Sequence, residues 1–273
     1  MDNNNKEQFH NIPLTKLAAS LSESMEISPP EKADSALQEL HNYIRGSIHN
    51  KIDKMLIFNP DALGATLIDQ FSEDFAAIKK VAPLEIPFIT EFPPITNACF
   101  CTMYTGTHND MHGIFNNRNM KLTTDTIFDA LARAGKKSAI VAVGHSTMAK
   151  VFNNTAADVF PERYDSEVIT KAVELIKNNE YDLVVIYNQQ YDDSLHITHP
   201  RSKFATKAMR THIAAFELLC NAAEVYWQDY NTLVGFAPDH GAHREWYGLG
   251  SHGKYIPEDM NIYHYYGIQP KQK

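Results

Sequence analysis

A chain of 273 residues has room for one large α/β domain or two small ones. Its 44% hydrophobic and 21% charged residues are ordinary globular usage, which excludes disorder over most of the length. The net charge of −8 argues against a general binder of nucleic-acid backbone, and no duplex is expected as a partner; a small phosphorylated substrate stays open, because bound metal ions invert the local field.

Residues 1–33 read as a loosely ordered N-terminal lead-in ending in the breaker Ser28-Pro29-Pro30, and residues 34–273 as a single domain. Met1 to His10 is polar, without a basic start and an apolar core, and no run of about 20 apolar residues follows. The expectation is a cytoplasmic protein with no membrane partner; oligomeric state is not legible. The three cysteines, Cys99, Cys101 and Cys220, read as buried apolar fillers in a reducing compartment.

From Asp34 to about His49, Leu37, Leu40, Tyr43, Ile44 and Ile48 recur at helical spacing. A strand, Lys54–Phe58, is stopped by Asn59-Pro60, and Asp61 follows at once. A helix is expected over about 62–79, a strand over Leu84–Ile89 before the Pro93-Pro94 turn, and a helix from near Thr96 to near Gly106. Thr124 to Ala134 reads as a helix closed by Gly135, Ser138–Val143 as a buried strand, Ser166 to Asn178 as a helix and Leu183–Tyr187 as a buried strand. Lys203 to about Tyr230 is a long helix with Phe204, Ala208, Ile213, Phe216, Leu219 and Trp227 as core positions, and Thr232–Ala237 is the next strand. Continuous apolar strands separated by helices predict an α/β fold: a mostly parallel central sheet flanked by helices on both faces. Ligands gather at the carboxyl ends of such strands, and Asp61, Asp192 and Asp239 all lie shortly after one.

Four short clusters carry metal-ligand and nucleophile chemistry. Asp239-His240-Gly241 follows a strand directly, which makes either a compact metal corner or a surface turn with a bonded histidine. Asp192 and His196 are four apart and can face one ion on a helix or tight turn; spacing alone leaves Asp193 as an alternative ligand. His252 stands beside Gly253. Thr96 reads as a helix N-cap or as a nucleophile, and the two roles are compatible. His108 and His112 are bracketed by Gly106 and Gly113, so His112 reads as structural. His145 is within reach of the rim, His243 reads as an outer-shell residue, and Tyr164, Arg201 and Arg244 as unranked candidates for touching substrate.

The stretch Ile95-Thr96-Asn97-Ala98-Cys99-Phe100-Cys101-Thr102-Met103-Tyr104-Thr105-Gly106, then His112-Gly113-Ile114 and Asn116-Asn117, resembles the nucleophile region of the alkaline phosphatase superfamily. The resemblance is to its type I phosphodiesterase/nucleotide pyrophosphatase branch. That branch orders an early Asp, Asp-x-x-x-His followed by Pro, Asp-His-Gly and a late His-Gly; this chain offers Asp61, Asp192 to His196 with Pro200, Asp239-His240-Gly241 and His252-Gly253. The resemblance implies an alkaline phosphatase-like fold and two divalent ions, zinc first and manganese as the alternative. It implies one ion on Asp192, His196 and His252 and a second on Asp61, Asp239 and His240. Thr96 would be metal-bound nucleophile, and Asn117 a donor to a phosphoryl oxygen. The activity implied is cleavage of phosphodiester or pyrophosphate-type bonds through a phosphothreonine, on a small phosphorylated substrate such as a nucleotide. A phosphomonoesterase, a phosphonate hydrolase and a catalytically degenerate metal- or ligand-binding relative are the alternatives.

Three departures from the branch stand out. Ala62 follows Asp61 where the family has glycine, Ala98-Cys99-Phe100 replaces Pro-Asn-His, and His199-Pro200 replaces Gly-Pro. A sulfatase is disfavoured, because Cys99-Phe100-Cys101-Thr102-Met103 lacks the Pro and Arg of Cys-x-Pro-x-Arg.

Overall fold

The computed structural model describes residues 8–116 and 121–272. Ten strands occur in it: β1 (Ile12–Pro13), β2 (Lys54–Pro60), β3 (Leu84–Ile89), β4 (Ser138–Val143), β5 (Asp158–Glu162), β6 (Leu183–Asn188), β7 (Thr232–Phe236), β8 (His243–Arg244), β9 (Gly250–Ser251) and β10 (Asn261–Gln269). Eight form one sheet in the order β1-β3-β10-β7-β2-β6-β4-β5, and β8 and β9 pair separately as a short hairpin. Every pairing in the large sheet is parallel except those of β10, which runs antiparallel to β3 and β7.

At the centre of the sheet, β2 lies between β7 and β6, with Phe58 opposite both Ile186 and Phe236. Each of these three strands is buried along its whole length, as parallel strands covered on both faces must be. Their alternate side chains supply two cores. Met55 and Ile57 join Leu17, Phe100, Tyr104 and Phe128 on one face, and Leu56 and Phe58 join Leu175, Met209, Phe216 and Trp227 on the other. The helices Lys16–Ser24, Thr96–Thr105 and Ile127–Arg133 cover the first face; Asp165–Asn178, Gln190–Ile197 and Lys203–Tyr226 cover the second.

Several elements differ from expectation. Over residues 8–33 the supposed loose lead-in is packed: β1 pairs with β3, and Leu17, Ala18 and Leu21 of helix Lys16–Ser24 are buried. The helix expected over 62–79 is two short ones, Ala65–Gln70 and Ala76–Val81. The long helix ends at Tyr226, and Phe204 in its first turn is 53% exposed rather than core.

Gly267 of β10 sits where an added Cβ would lie 2.1 Å from the Val81 carbonyl oxygen, against backbone that cannot give way cheaply. Gly267→Ala is therefore expected to cost about 2–3 kcal/mol and to lower the melting midpoint by roughly 5–10 °C, read by calorimetry beside wild type.

Candidate functional site

Because β2, β6 and β7 run parallel, their carboxyl ends open on one rim. Asp61 follows the last residue of β2, Asp239 and His240 follow β7, and Asp192 and His196 lie on the helix after β6. His252 comes from the segment after β9, and Thr96 is the first residue of helix Thr96–Thr105, with Ile95 extended at its N-cap. Asp61, Asp239 and His240 are buried, while His196 stands at the opening.

Two triads form. In one, the His196 and His252 Nε2 atoms lie 3.3 and 3.6 Å from Asp192 Oδ1. In the other, His240 Nε2 lies 3.4 Å from both Asp61 Oδ1 and Asp239 Oδ2. The imidazoles of His240 and His252 stack at 4.2 Å and join the two groups. Thr96 Oγ1 completes the second, 3.3 Å from Asp61 Oδ2 and 3.4 Å from His240 Nε2.

The arrangement fits a pair of divalent cations on three counts. A tetrahedral ion with bonds of about 2.0–2.1 Å spaces its ligands about 3.3 Å apart, close to the separations just given. Each of the three histidines turns Nδ1 to a backbone carbonyl: His196 to Gly250 at 3.3 Å, His240 to Gly241 at 2.9 Å and His252 to Pro94 at 2.9 Å. A carbonyl only accepts, so Nδ1 carries the proton and Nε2 is left as a ligand atom, the usual outer-shell arrangement at metal sites. Finally, Asp61 Oδ1 and Asp239 Oδ2 are buried without a hydrogen bond, an expense that a cation removes.

Electrostatics agree with this fit. Burial, reinforced by Asp239 and Asp192, pushes the Asp61 carboxyl well above the ordinary carboxylate range, and burial pushes Asp239 up to about 8. Burial, then the charge of His252, lowers His240 to about 3, so its ring is neutral and presents a lone pair to two carboxylates. Asp192 moves the other way; burial opposes the shift, but the bond to His196 and the charge of His252 hold it low. A cluster this short of positive charge calls for a cation between its oxygens.

The structure brings together Asp61, Thr96, Asp192, His196, Asp239, His240 and His252. Asn117 lies outside the described residues. Of the two adjacent acids, Asp192 faces the histidines, while Asp193 accepts from the Gln189 amide at 3.1 Å. His112 is buried against Thr102 at 3.1 Å and takes the Ile114 N–H at 3.2 Å; burial lowers it to about 4, as suits a neutral structural ring. His243 is held by Asp259 at 2.8 Å and Glu245 at 3.1 Å. Ala62 takes φ of 63°, the left-handed conformation that glycine adopts freely, and its N–H reaches Asp239 Oδ1 at 3.2 Å.

Other supports escape sequence reasoning. The Tyr187 hydroxyl donates to Asp61 Oδ2, and its position in β6, alternating toward the same face, is the one signal for it. Thr90 Oγ1 donates to the Asp239 carbonyl at 2.5 Å, and His264 Nε2 donates to the Pro238 carbonyl at 2.8 Å. Asn59 donates to the Ala237 carbonyl at 2.6 Å and accepts from the Tyr104 hydroxyl at 2.6 Å.

Solved structures of similar fold include murine ectonucleotide pyrophosphatase / phosphodiesterase 5, at 18% identity over 70% of this chain and 58% of that one, with a TM-score of 0.55. The human protein of the same name matches at 17% identity over 70% and 57%, with a TM-score of 0.52. A putative sulfatase from Bacteroides thetaiotaomicron matches at 11% identity over 81% and 66%, with a TM-score of 0.57. At such identities the likeness is one of fold, and this chain spans only 57–58% of the length of the two phosphodiesterases. No curated protein sequence matches the chain. The family model described as type I phosphodiesterase / nucleotide pyrophosphatase matches residues 55–247, from the central strand through the whole second triad and the acid and histidine of helix Gln190–Ile197, and the chain belongs to that family.

Proposed function

We propose that this chain hydrolyses phosphodiester or pyrophosphate-type bonds at the paired triads, through a covalent phosphothreonine on Thr96. The observation that carries the reading is the placement of the Thr96 hydroxyl at ligand spacing from Asp61 and His240, at the N-terminus of a ten-residue helix. Asp192, His196 and His252 hold one divalent ion in this proposal, and Asp61, Asp239, His240 and Thr96 the other, zinc being suited to such oxygen and nitrogen donors. When bound, the ions supply Lewis acidity and lower the pKa of the threonine hydroxyl.

The chain's own groups do the rest. Thr96 donates its proton toward Asp61 Oδ2, which turns an oxygen lone pair outward for attack on phosphorus. Attack forms the Oγ–P bond as the bond to the departing alcohol or phosphate breaks on the far side. Water then cleaves the phosphothreonine and regenerates the hydroxyl. The positive end of helix Thr96–Thr105 favours the anionic oxygen and the phosphoryl group. Tyr187 fixes Asp61 Oδ2, and Asn117, by the family resemblance, donates to a phosphoryl oxygen. A nucleotide is a candidate substrate: an inactive variant of the murine relative has been solved in complex with AMP.

Thr96→Ala is expected to lower turnover of bis-nitrophenyl phosphate by about 10⁴-fold or more, with zinc content by mass spectrometry largely intact because Asp61, Asp239 and His240 still hold the second ion. Activity kept within tenfold of wild type removes Thr96 as nucleophile. Turnover of nitrophenyl phosphate alone, with none of the diester, assigns the site to monoesters instead.

Equilibrium dialysis against zinc should give one ion for each of the two triads. His252→Ala is expected to lose the ion of the Asp192 triad and keep the other. Chelation should lower the melting midpoint of wild type, and added zinc should restore it. A protein whose midpoint ignores both treatments carries no tight metal pair.

A further inference from the structure

We propose that the β8–β9 hairpin and the adjoining turn after helix Gln190–Ile197 form a docking surface for an anionic lipid bilayer, set at the mouth of the candidate site. The hairpin pairs His243 with Ser251 and Arg244 with Gly250, and its tip presents Trp246, Tyr247 and Leu249. Trp246 is 92% exposed, Tyr247 57% and Leu249 42%; beside them Ile197, the last residue of its helix, is 68% exposed. Leaving these groups in water is costly unless something covers them.

The tip is held rather than loose. Glu245 N–H bonds the Leu249 carbonyl at 2.8 Å, Gly248 N–H the Glu245 carbonyl at 2.9 Å, and Arg244 Nε the Gly248 carbonyl at 3.0 Å. Its base is locked to the helix: Gly250 N–H bonds the Thr198 carbonyl at 3.1 Å, and a Cβ on Gly250 would lie 2.5 Å from the Leu195 carbonyl oxygen. The same Gly250 offers its carbonyl to His196 Nδ1 at 3.3 Å, so the aromatic tip and the exposed candidate ligand share one residue.

Charge selects the occupant. Arg244 lies on the hairpin two residues before Trp246 and Arg201 in the turn after helix Gln190–Ile197, and neither forms an ion pair with another described residue. They stand near one another: His199, lowered first by partial burial, is lowered further by Arg244 and then Arg201. The nearest acid on the hairpin, Glu245, is paired with Lys254 at 2.7 Å. A local excess of guanidinium around a projecting Trp and Tyr, on a chain of net charge −8, suits headgroup-level insertion into an anionic interface. Four side chains at a hairpin tip fall short of the ~800 Å² per partner that a stable protein interface buries. Among the described residues no helix is long and apolar enough to cross a membrane, and this surface asks only for contact with one.

Co-sedimentation with vesicles tests the surface. Wild type should partition onto phosphatidylcholine vesicles containing about a third phosphatidylserine, and weakly onto phosphatidylcholine alone. Trp246→Ala with Tyr247→Ala should reduce the partition coefficient by about tenfold or more, and Arg201→Ala or Arg244→Ala by about fivefold each. Of the two tryptophans, Trp227 is buried and bonded to the Ile176 carbonyl, so a blue shift on adding vesicles reports Trp246. Absence of wild-type partition at about 0.1 M salt, or partition undiminished in the aromatic double variant, overturns the proposal. So does a concentration-dependent dimer abolished by that variant, which would make a second copy the occupant. None of these readouts uses catalysis, so the surface stands or falls apart from the hydrolase reading.

Discussion

Three carboxylates, those of Asp61, Asp192 and Asp239, converge on one rim of the sheet, and two of them are wholly buried. Bringing like charges together away from water is among the most expensive arrangements a fold can hold. Here the chain supplies three imidazoles, but the one in the deepest position is neutral and turns a lone pair, not a proton, toward Asp61 and Asp239. The surrounding structure is therefore built to hold acceptors facing acceptors, an arrangement that makes sense around cations. Rigidity follows from the same constraint, since groups that repel one another must be held by their neighbours.

That holding is visible in the backbone around Asp239. Three separate elements bond three successive carbonyls: Asn59 of β2 to Ala237, His264 of β10 to Pro238, and Thr90 after β3 to Asp239. Tyr104, from the helix that begins with Thr96, bonds Asn59 in turn. The helix that begins with Thr96 and the strand that delivers Asp239 and His240 are thus tied through one buried polar chain. The antiparallel β10 makes this possible, because it enters between β3 and β7 and places His264 beneath the rim. Each bond is worth about 1 kcal/mol in net stability, but its larger effect is to fix a carbonyl and so the side chain that follows it.

The parallel core was legible in the sequence because β2, β4, β6 and β7 are uninterrupted apolar runs between helical patterns. Among the candidate site residues, Asp61, Asp192 and Asp239 were legible as a group because a parallel sheet sends the residues after its strands to one edge, while Thr96 and His252 stood out only through the order of motifs shared with the family. What escaped reading shares a physical cause. In β10, Asn261-Ile262-Tyr263-His264-Tyr265-Tyr266-Gly267, aromatic and polar side chains bury by hydrogen bonding to their neighbours, so no apolar run announces the strand. The helix Lys16–Ser24 buries serines that bond carbonyls within its own turns, and these read as polarity in the sequence. Phe204 falls on helical periodicity, yet in that first turn it is Ala205 and Thr206 that are buried and Phe204 that is exposed. Asp192 and Asp193 differ by one residue and about 100° on a helix, and the direction of that helix, which only the fold supplies, separates them.

Ala62 illustrates how the departures from the family pattern are accommodated. An alanine in the left-handed region costs about 1–2 kcal/mol, yet its methyl is buried in the core beneath the sheet and returns about 0.8 kcal/mol. Restricting the unfolded chain relative to glycine returns about as much again. The terms nearly balance, so the turn that aims the Ala62 N–H at Asp239 survives without the residue that makes it easiest. The conformation after β2 is thus set by the acid it must serve, and the residue identity at that position is free to drift within the energy that burial supplies.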